Sequence, residues 1–595
     1  MRIKSVMKGD RGSSMLRNVF RYNYTTLLFG TVVALTGMIV DGIIIGQYLG
    51  EEAIAAYGVI MSVFLFLNAF SGLLSAGGEA LIGQAMGFGH VEEANRVLSI
   101  VNKCLFILSA ALVAMTLLLR REIVTALGMP PEMGNMHNMC MDYFLGLIIG
   151  FPVILWATTI PTFLSLDSDA MRAFIAILVS TAVNIAGDLL NVHVFHGGMF
   201  GMALATSVSY LVMCVVVAPH FLSSKYSLKF RMQQSGMKGL KELIKAGMPT
   251  GMTRAVMALR TMGLNRILMA IGSAGAVSAM TVGTSVSDFY SPVMTTLGMV
   301  VLMMSSAFLK EEDRSTMSQI FKTMVRYCFG PILLVTLAVV LLAGTLVTLY
   351  LPEDSSVFPS ALACTIYMAI CLPLNSLHLG IANYLQGIGK YRPATVFSIL
   401  ESGGALLVCA LILGNLLGVQ GVWIAFPVSE AIMMILYVIY ATKFQKHFPR
   451  SIRDFLFLDD SFGVSESDQM EFTMYTMDQV MACSEAVRQF SLDKNISMRN
   501  ANLISLSVEE LGGNIIQWGF QDGKKHSINL RLIYKDGSLS LRIRDDCIPF
   551  DPKKQAEMYL EETGAKNYGL RMIAKMVQEM RYVNLMRLNI LFIKI

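Results

Sequence analysis

The stretch that decides the fold is "VNIAGDLLN" at residues 183–191, where three polar side chains interrupt a long apolar segment. Asn184, Asp188 and Asn191 are spaced by four and then three residues, so they share one face of an α-helix. A charged side chain at the centre of a membrane helix costs about 2.5–3.5 kcal/mol on insertion scales, so such a face is retained where it borders a cavity or another helix. The stretch therefore predicts a bundle of membrane helices with a polar interior.

The composition also indicates a membrane protein. Of 595 residues, 54% are hydrophobic and only 15% are charged, and the mean hydropathy is +0.58, which is too apolar for a soluble protein of this length. Charge is sparse up to about residue 442 and dense from about residue 450 onward, so a membrane part precedes a soluble tail. The nine cysteines show no CxxC spacing and predict neither a disulfide framework nor a zinc site.

Twelve apolar stretches are long enough to cross about 30 Å of hydrocarbon as helices. They lie near residues 25–48, 55–84, 97–118, 138–158, 172–193, 200–220, 246–271, 276–308, 320–350, 361–386, 394–415 and 420–442. Lysine and arginine collect in the N-terminal tail, in the loop at 221–245 and after residue 442, which predicts that both termini are cytoplasmic. "EEAIAAYGVIMSV" (51–63) resembles "AGAVSAMTVGTSV" (274–286), and such a duplication predicts two six-helix bundles, as in secondary transporters.

Four segments resemble signatures of the multidrug and toxic compound extrusion (MATE) family. They are "MIVDGIIIGQYLGEEAIAAYG" (38–58), "LSLDSDAMRAF" (164–174), "VNIAGDLLNVHVFHGGMFGMALAT" (183–206) and "YLQGIGKYRPA" (384–394). The resemblance covers about residues 20–442 and implies a multi-pass transporter in the lipid of a bacterial plasma (inner) membrane that exports small cationic, amphipathic xenobiotics. In that family the acid of the first helix and the Asn and Asp of the fifth form a proton or cation site, which corresponds here to Asp41, Asn184 and Asp188. Asn191, on the same helix face, is the fourth residue predicted to take part in this exchange.

The buried acids predict how transport is coupled. Asp41 and Asp188 repel each other when both are ionised, so a cavity that holds both favours the uptake of a proton. H⁺ is favoured over Na⁺ because relatives with a sodium site carry acids on the seventh and tenth helices, where this chain has none. In an alternative that stays open, Asn184 and Asp188 only hydrogen-bond neighbouring helices. Four further charged residues in the predicted helices either pair with one another or take part in coupling: Arg260, Asp288, Glu401 and Glu430.

From about residue 466 the pattern becomes that of a cytoplasmic α+β sandwich domain. Helices are predicted at 477–492, 500–520 and 569–580, and strands at 526–534, 539–545 and 588–595. Three motifs follow in order on these elements: "VEELGGN" (508–514), "RDDCIPFDP" (544–552) and "NYGLRMI" (567–573). Together they resemble the N, G1 and G2 boxes of the GHKL-type (Bergerat-like) ATP-binding fold, and most closely those of the serine kinases that regulate sigma factors.

The resemblance implies an ATP site with Mg²⁺. Asn514 is suited to Mg²⁺ through its amide oxygen, and Glu510, one helical turn before it, is suited to be the catalytic base. Asp545 would accept a hydrogen bond from the adenine amine, and Gly569 opens a helix whose N–H groups suit phosphate. The predicted cofactor-binding residues are Asp545, Asp546, Cys547, Pro549, Gly569 and Leu570. Cys547 replaces the usual glycine of the G1 box, which favours a weak or regulatory site.

These predictions divide the chain into an N-terminal tail (1–24), two lobes (25–220 and 246–442) joined by a basic loop (221–245), a linker (443–465) and the ATP-binding domain (466–595). Three functions stay open. The first is a proton-coupled multidrug antiporter whose tail binds ATP and regulates transport. The second is a membrane-tethered serine/threonine kinase that uses its transporter-like half as a sensor and acts on a regulatory protein partner. The third is the flipping of a lipid or lipid-like precursor, since the fold does not fix the substrate. None of them uses nucleic acid, and the absence of a GxxxxGK[ST] loop argues against a P-loop pump.

Overall fold

The computed structural model describes residues 12–127, 129–230, 236–272, 274–558 and 568–595, and the first part of the predicted N-terminal tail lies outside them. The helices of the membrane part are α1 (Gly12–Ile44), α2 (Glu51–Met86), α3 (Val91–Ala126), α4 (Asn135–Leu166), α5 (Ala170–Leu190), α6 (Gly198–Leu222), α7 (Leu240–Ile271), α8 (Ala274–Leu309), α9 (Arg314–Cys328), α10 (Pro331–Leu341), α11 (Ala343–Thr348), α12 (Phe358–Gly387), α13 (Tyr391–Ile399), α14 (Ala405–Leu417) and α15 (Val419–Gln445). The first lobe is α1–α6 and the second lobe is α7–α15.

Ten helical segments of the described residues are long and apolar enough to cross a membrane. This confirms the prediction of a mostly helical, multi-pass membrane protein. The predicted spans at 55–84 and 246–271 lie in α2 and α7, two long helices that are not among the ten. The count of twelve spans therefore stays a prediction, although the structure places a long helix or a helical run at each of the twelve positions.

The two lobes meet along α2, which packs against α7 and α8. Small residues make this approach close: a Cβ atom on Gly87 would lie 1.6 Å from the carbonyl oxygen of Ala307, and one on Gly83 would lie 2.3 Å from Ser306 Oγ. The amide of Gln84 donates a hydrogen bond across the same interface to the carbonyl of Gly387, at 3.0 Å. We call this contact, at the end of the lobes that faces the soluble tail, the tail-side seam.

The soluble tail folds as a five-stranded antiparallel sheet with helices on one face. Its elements are β1 (Gln469–Met474), α16 (Met477–Asp493), α17 (Met498–Asn514), β2 (Ile528–Lys535), β3 (Ser538–Asp545), α18 (Pro552–Met558), α19 (Tyr568–Met576), β4 (Glu579–Leu585) and β5 (Leu588–Lys594). The strand order is β1-β2-β3-β5-β4. This confirms the predicted α+β layout, but β1 and β4 were not predicted, and the last helix ends at Met576 rather than at residue 580.

The sheet is covered on both faces. Leu530, Leu532 and Leu541 point into the core beneath α16 and α17. Residues of opposite parity point the other way, and Leu588 and Ile590 of β5 belong to the same apolar cluster as the membrane helices. Because one face packs on the tail's own helices and the other on the membrane part, we call the second face the outer face.

Candidate functional site

An acid pair lies between α1 and α5 in the first lobe. Asp41 and Asp188 are both buried, and their carboxyl groups interact directly. Asn184 donates a hydrogen bond from Nδ2 to Asp188 Oδ2 at 3.2 Å. The helices approach closely here because Gly37 lies against Thr181, where a Cβ atom would be 3.0 Å from Thr181 Cγ2. The structure thus brings together three of the four residues predicted for proton or cation exchange.

The charge of the two carboxyl groups decides whether they can bond to each other. Two ionised carboxylates carry no hydrogen to share, so a hydrogen bond between Asp41 and Asp188 would form only when one of them carries a proton. The Oδ1 atom of each acid is buried and has no hydrogen-bond partner within the described residues. The pair therefore has acceptor capacity that protein groups leave unused, as a site that exchanges ions requires.

Asn191 lies at the start of a π-helical turn, Asn191–Phe195, that follows α5. Its Oδ1 atom accepts a hydrogen bond from the backbone N–H of Gly197 at 3.0 Å, and its Nδ2 donates to the carbonyl of Gly198 at 3.0 Å. A Cβ atom on Gly201 would lie 1.8 Å from the same Oδ1. The observed contacts of Asn191 hold the turn into α6, and its predicted part in ion exchange stays a prediction.

Three tyrosines close to the acid pair were not predicted. Tyr57 on α2, Tyr143 on α4 and Tyr210 on α6 are each within electrostatic reach of Asp41. The rings of Tyr57 and Tyr143 lie edge to face with centroids 5.8 Å apart. Single tyrosines are common in apolar helices, so no spacing in the sequence distinguished these three from packing residues.

The charged residues of the second lobe form a separate cluster. Glu430 Oε2 lies 2.7 Å from Nδ1 of His378, and Glu430 Oε1 accepts a hydrogen bond from Asn375 at 3.2 Å. Arg260 is within electrostatic reach of Glu401, Glu430 and Asp288. The observed partners of Glu430 lie outside the four predicted charges, and they add His378, which sequence reasoning missed. Whether the four charges pair with one another or take part in coupling stays a prediction.

In the tail, Glu510 and Asn514 lie one turn apart at the end of α17, as predicted. Gly569 packs directly on Glu510, because a Cβ atom on Gly569 would lie 2.3 Å from Glu510 Cδ. The motifs that hold the candidate catalytic base and the candidate phosphate-binding glycine are therefore in contact. Residues 559–567 lie outside those that the structure describes, and Asn567 of the third motif is one of them.

The predicted adenine acceptor, Asp545, ends β3 and is buried. Its Oδ1 accepts hydrogen bonds from the backbone N–H of Cys547 at 3.0 Å and from Nδ2 of Asn589 at 2.7 Å. Burial raises the pKa of Asp545 above its usual value, although the hydrogen bonds from Asn589 and Cys547 oppose that shift. A carboxylate oriented in this way suits an amine donor. Asn589 on β5 was not predicted, because it lies 44 residues from Asp545.

The other predicted cofactor-binding residues differ in their surroundings. Asp546 Oδ1 lies 3.1 Å from Nδ1 of His526. Cys547 is buried against Gly519, where a Cβ atom would lie 2.9 Å from Cys547 Sγ. Pro549 is exposed, whereas the side chain of Leu570 is in the core of the domain. Leu570 can therefore reach a nucleotide only through its backbone.

Comparison with known proteins agrees with this architecture. Residues 27–190 and 249–412 match the MatE family, and residues 475–592 match the histidine kinase-like ATPase domain. The chain is similar to the probable multidrug resistance protein YoeA of Bacillus subtilis, with 23% identity over 423 residues, which are 69% of this chain and 90% of that protein. It is also similar to the multidrug export protein MepA of Staphylococcus haemolyticus, with 21% identity over 425 residues, or 70% and 92% of the two chains.

Solved structures give the same fold. The Vibrio cholerae MATE transporter VcmN in its bent form superimposes with a TM-score of 0.67 at 20% identity, covering 75% of this chain and 99% of that one. A MOP superfamily transporter of Pyrococcus furiosus gives a TM-score of 0.65 at 19% identity, with coverage of 72% and 96%. The family match takes in more than half of the chain, and its two segments fall in the two lobes. This protein therefore belongs to the MATE family, and it carries a C-terminal histidine kinase-like ATPase domain.

Proposed function

We propose that this protein exports small cationic, amphipathic xenobiotics in exchange for protons, and that ATP binding at its tail regulates export. The names of the two relatives, a multidrug resistance protein and a multidrug export protein, support the substrate class. The direct contact of Asp41 with Asp188 supports the coupling to protons.

The chemistry of the acid pair explains how protons and cargo exchange. When a proton leaves the pair, two negative charges remain in a buried site, and a cation relieves their repulsion. When a proton returns from outside, the pair loses a charge and the cation is released. Cargo and proton thus compete for one site, and the lobes expose that site to each side of the membrane in turn.

Flux measurements in proteoliposomes test this proposal. With an imposed pH gradient, the parent protein should move a fluorescent organic cation across the membrane while protons move in the opposite direction. Replacing Na⁺ by an inert cation should leave the flux unchanged. Asp41→Asn and Asp188→Asn should each reduce the flux at least ~100-fold, because a neutral amide cannot exchange a proton in this range. Asp354→Asn is the matched control, since Asp354 is exposed in the loop before α12. Full flux in both acid-pair variants would refute proton coupling at this site.

The tail site is proposed to hold ATP with Mg²⁺. Asn514 would offer its amide oxygen to the metal, Asp545 would accept a hydrogen bond from the adenine amine, and the backbone of Gly569 would face phosphate. Glu510 would take a proton from an attacking hydroxyl or water. The full chain should bind a fluorescent ATP analogue, Asn514→Ala should lose that binding, and Asn502→Ala, an exposed residue on the same helix, should keep it.

The same preparation separates regulation from kinase activity. If the role is regulatory, Asn514→Ala transports cations in the absence of ATP as the parent does, but no longer responds when ATP is added. Two results together would instead establish the kinase. The parent would transfer phosphate from ATP to a protein partner but show no proton-linked flux of cations, and Glu510→Gln would lose the phosphate transfer.

A further inference from the structure

The outer face of the tail's sheet carries three arginines in one row. Arg531 on β2 pairs in register with Arg542 on β3, and Arg544 follows two residues later, so all three point to the same side. Each is at most 4% exposed. Burying three like charges is unfavourable unless each is paired, so this row requires an acidic partner.

The partner is the loop between α8 and α9 in the second lobe. We call residues 310–313, "KEED", the acidic loop. Glu311 Oε2 lies 2.5 Å from Arg542 Nη1 and also contacts Arg544 Nη2, and the side chain of Glu311 is fully buried. Arg531 donates from Nη1 to the carbonyl of Glu311 at 2.8 Å. The outer face is therefore an interaction surface built for the acidic loop.

Asp313 ties the same contact to the membrane helices. Its Oδ2 lies 3.4 Å from Arg542 Nη1 and accepts a hydrogen bond from Thr316 Oγ1 at 2.7 Å. It also caps α9 by accepting from the backbone N–H of Ser315 at 2.9 Å. Burial alone would raise the pKa of Asp313, but the charges of Arg531 and Arg542 lower it below its usual value.

The other end of the same sheet is attached to the first lobe. In the turn between β4 and β5, the backbone N–H of Met586 donates to the carbonyl of Leu166 at 3.0 Å, and that of Arg587 donates to Ser168 Oγ at 2.8 Å. Both acceptors lie where α4 ends and the chain turns into α5. The sheet is a single hydrogen-bonded unit, so it connects the two lobes rigidly.

A second contact with the first lobe lies beside the tail-side seam. Arg581 on β4 donates to the carbonyl of Phe88 at 3.2 Å, and its guanidinium lies 4.8 Å from the centre of the Phe88 ring. Phe88 follows the last residues of α2, where Gly83 and Gly87 meet α8. The sheet thus reaches the seam where Gly83 and Gly87 meet α8.

We infer that the outer face of the sheet is a clamp that binds both lobes of this transporter and holds the tail-side seam closed. Opening a path on the tail side requires α2 to move away from α7 and α8, and the sheet cannot follow both lobes at once. The clamp must therefore release the acidic loop or the α4–α5 turn in each cycle, an inference that rests on the proposed transport function.

The clamp also adjoins the candidate nucleotide site. Arg544 and Asp545 are consecutive on β3, and their side chains point to opposite faces of the sheet. Asp545 is held by Asn589 of β5, two residues after Arg587 in the turn that binds the first lobe. A ligand that shifts Asp545 therefore acts on the strand ends that grip both lobes.

Cross-linking in the full chain tests the clamp. Ser168→Cys with Arg587→Cys links the tail to the first lobe, and Glu312→Cys with Lys535→Cys links it to the second, because Lys535 Nζ lies 2.8 Å from Glu312 Oε2. A short bifunctional thiol reagent that reduction can cleave is applied to each pair separately and to both together. The parent chain treated with the same reagent controls for its own nine cysteines.

Either single link should leave cation flux at the level of the parent, and both links together should reduce it at least tenfold until the reagent is cleaved. Unchanged flux with both links formed would overturn the clamp. If the parent itself shows no flux, the proposed function fails. Hydrogen exchange of residues 77–87 then tests the clamp separately. Both links should then slow exchange there, and equal exchange with and without them would overturn the inference.

Discussion

Replacing Glu311 by glutamine tests how the tail is held to the membrane part. The carboxylate of Glu311 is fully buried and shared by Arg542 and Arg544, whereas the neighbouring Glu312 forms an ion pair with Lys535 in which both side chains are about half exposed. Glu311→Gln removes the charge but keeps the shape. Glu312→Gln is a matched control, since the two residues are adjacent in one loop and have the same chemistry.

The expected magnitudes differ widely. Removing one partner of a buried ion pair costs about 3–5 kcal/mol because the remaining charges stay buried without compensation. Removing a partner of an exposed pair costs about 0–1 kcal/mol. We therefore expect Glu311→Gln to lower the free energy of tail opening by about 3–5 kcal/mol, a factor of roughly 10² to 5 × 10³ in the opening equilibrium, and Glu312→Gln to lower it by less than about 1 kcal/mol.

Native-state hydrogen exchange of the Met586 and Arg587 amides measures this opening in the full chain, because they donate to Leu166 and Ser168 of the first lobe and lose these bonds when the tail comes off. The nucleotide site serves as a check on the fold, because a tail that has come off the membrane part but remains folded should still bind the ATP analogue. Equal effects of the two substitutions would refute the reasoning, since they would show that the buried charges do not hold the tail. A small effect of Glu311→Gln alone would do the same.

Three further predictions concern the seam, the nucleotide site and pH. Gly87→Ala places a Cβ atom 1.6 Å from the carbonyl of Ala307. It should separate the lobes and speed hydrogen exchange at residues 77–87 at least tenfold, whereas Gly58→Ala, where nothing lies within 4 Å, should not. Cys547→Gly removes the side chain packed on Gly519 and should tighten binding of the ATP analogue several-fold in a fluorescence titration. Asp313, whose pKa is lowered from 3.8, stabilises docking above that pH. The stability that Asp313→Asn removes should thus be constant above about pH 4 and shrink below it, as thermal unfolding between about pH 3 and 7 would show.

Helical periodicity predicted part of the sites well. The spacing of Asn184 and Asp188 was enough to place them on one face, and that face meets Asp41 in the structure. The same spacing put Asn191 with them, but Asn191 lies where α5 ends and a π-helical turn begins, so its side chain serves the next turn. Periodicity describes one regular helix, and it gives no information beyond the residue at which the helix ends.

The contact between the outer face and the acidic loop could not be predicted from the sequence. Along β2 and β3 the arginines alternate with leucine and isoleucine, a pattern typical of a sheet with one face in solvent. Charged side chains at alternate positions do not reveal whether water or an acidic loop neutralises them. The loop in question lies 220 residues before Arg531, and only the fold brings the two together.

The position of the clamp also bears on why a histidine kinase-like ATPase domain is joined to a carrier that we propose to be driven by protons. ATP bound at the tail can influence such a carrier without contacting the membrane helices. The strand that ends at Asp545 also presents Arg544 to the acidic loop. The lobes must separate on the tail side once in each transport cycle, and the sheet spans that separation. A nucleotide that changes how firmly the sheet holds one lobe would therefore change the rate of the cycle, while the stoichiometry that we propose for Asp41 and Asp188 would stay the same. Regulation of rate without a change in coupling follows from this geometry, and an ATP effect on the number of protons exchanged per cation would contradict it.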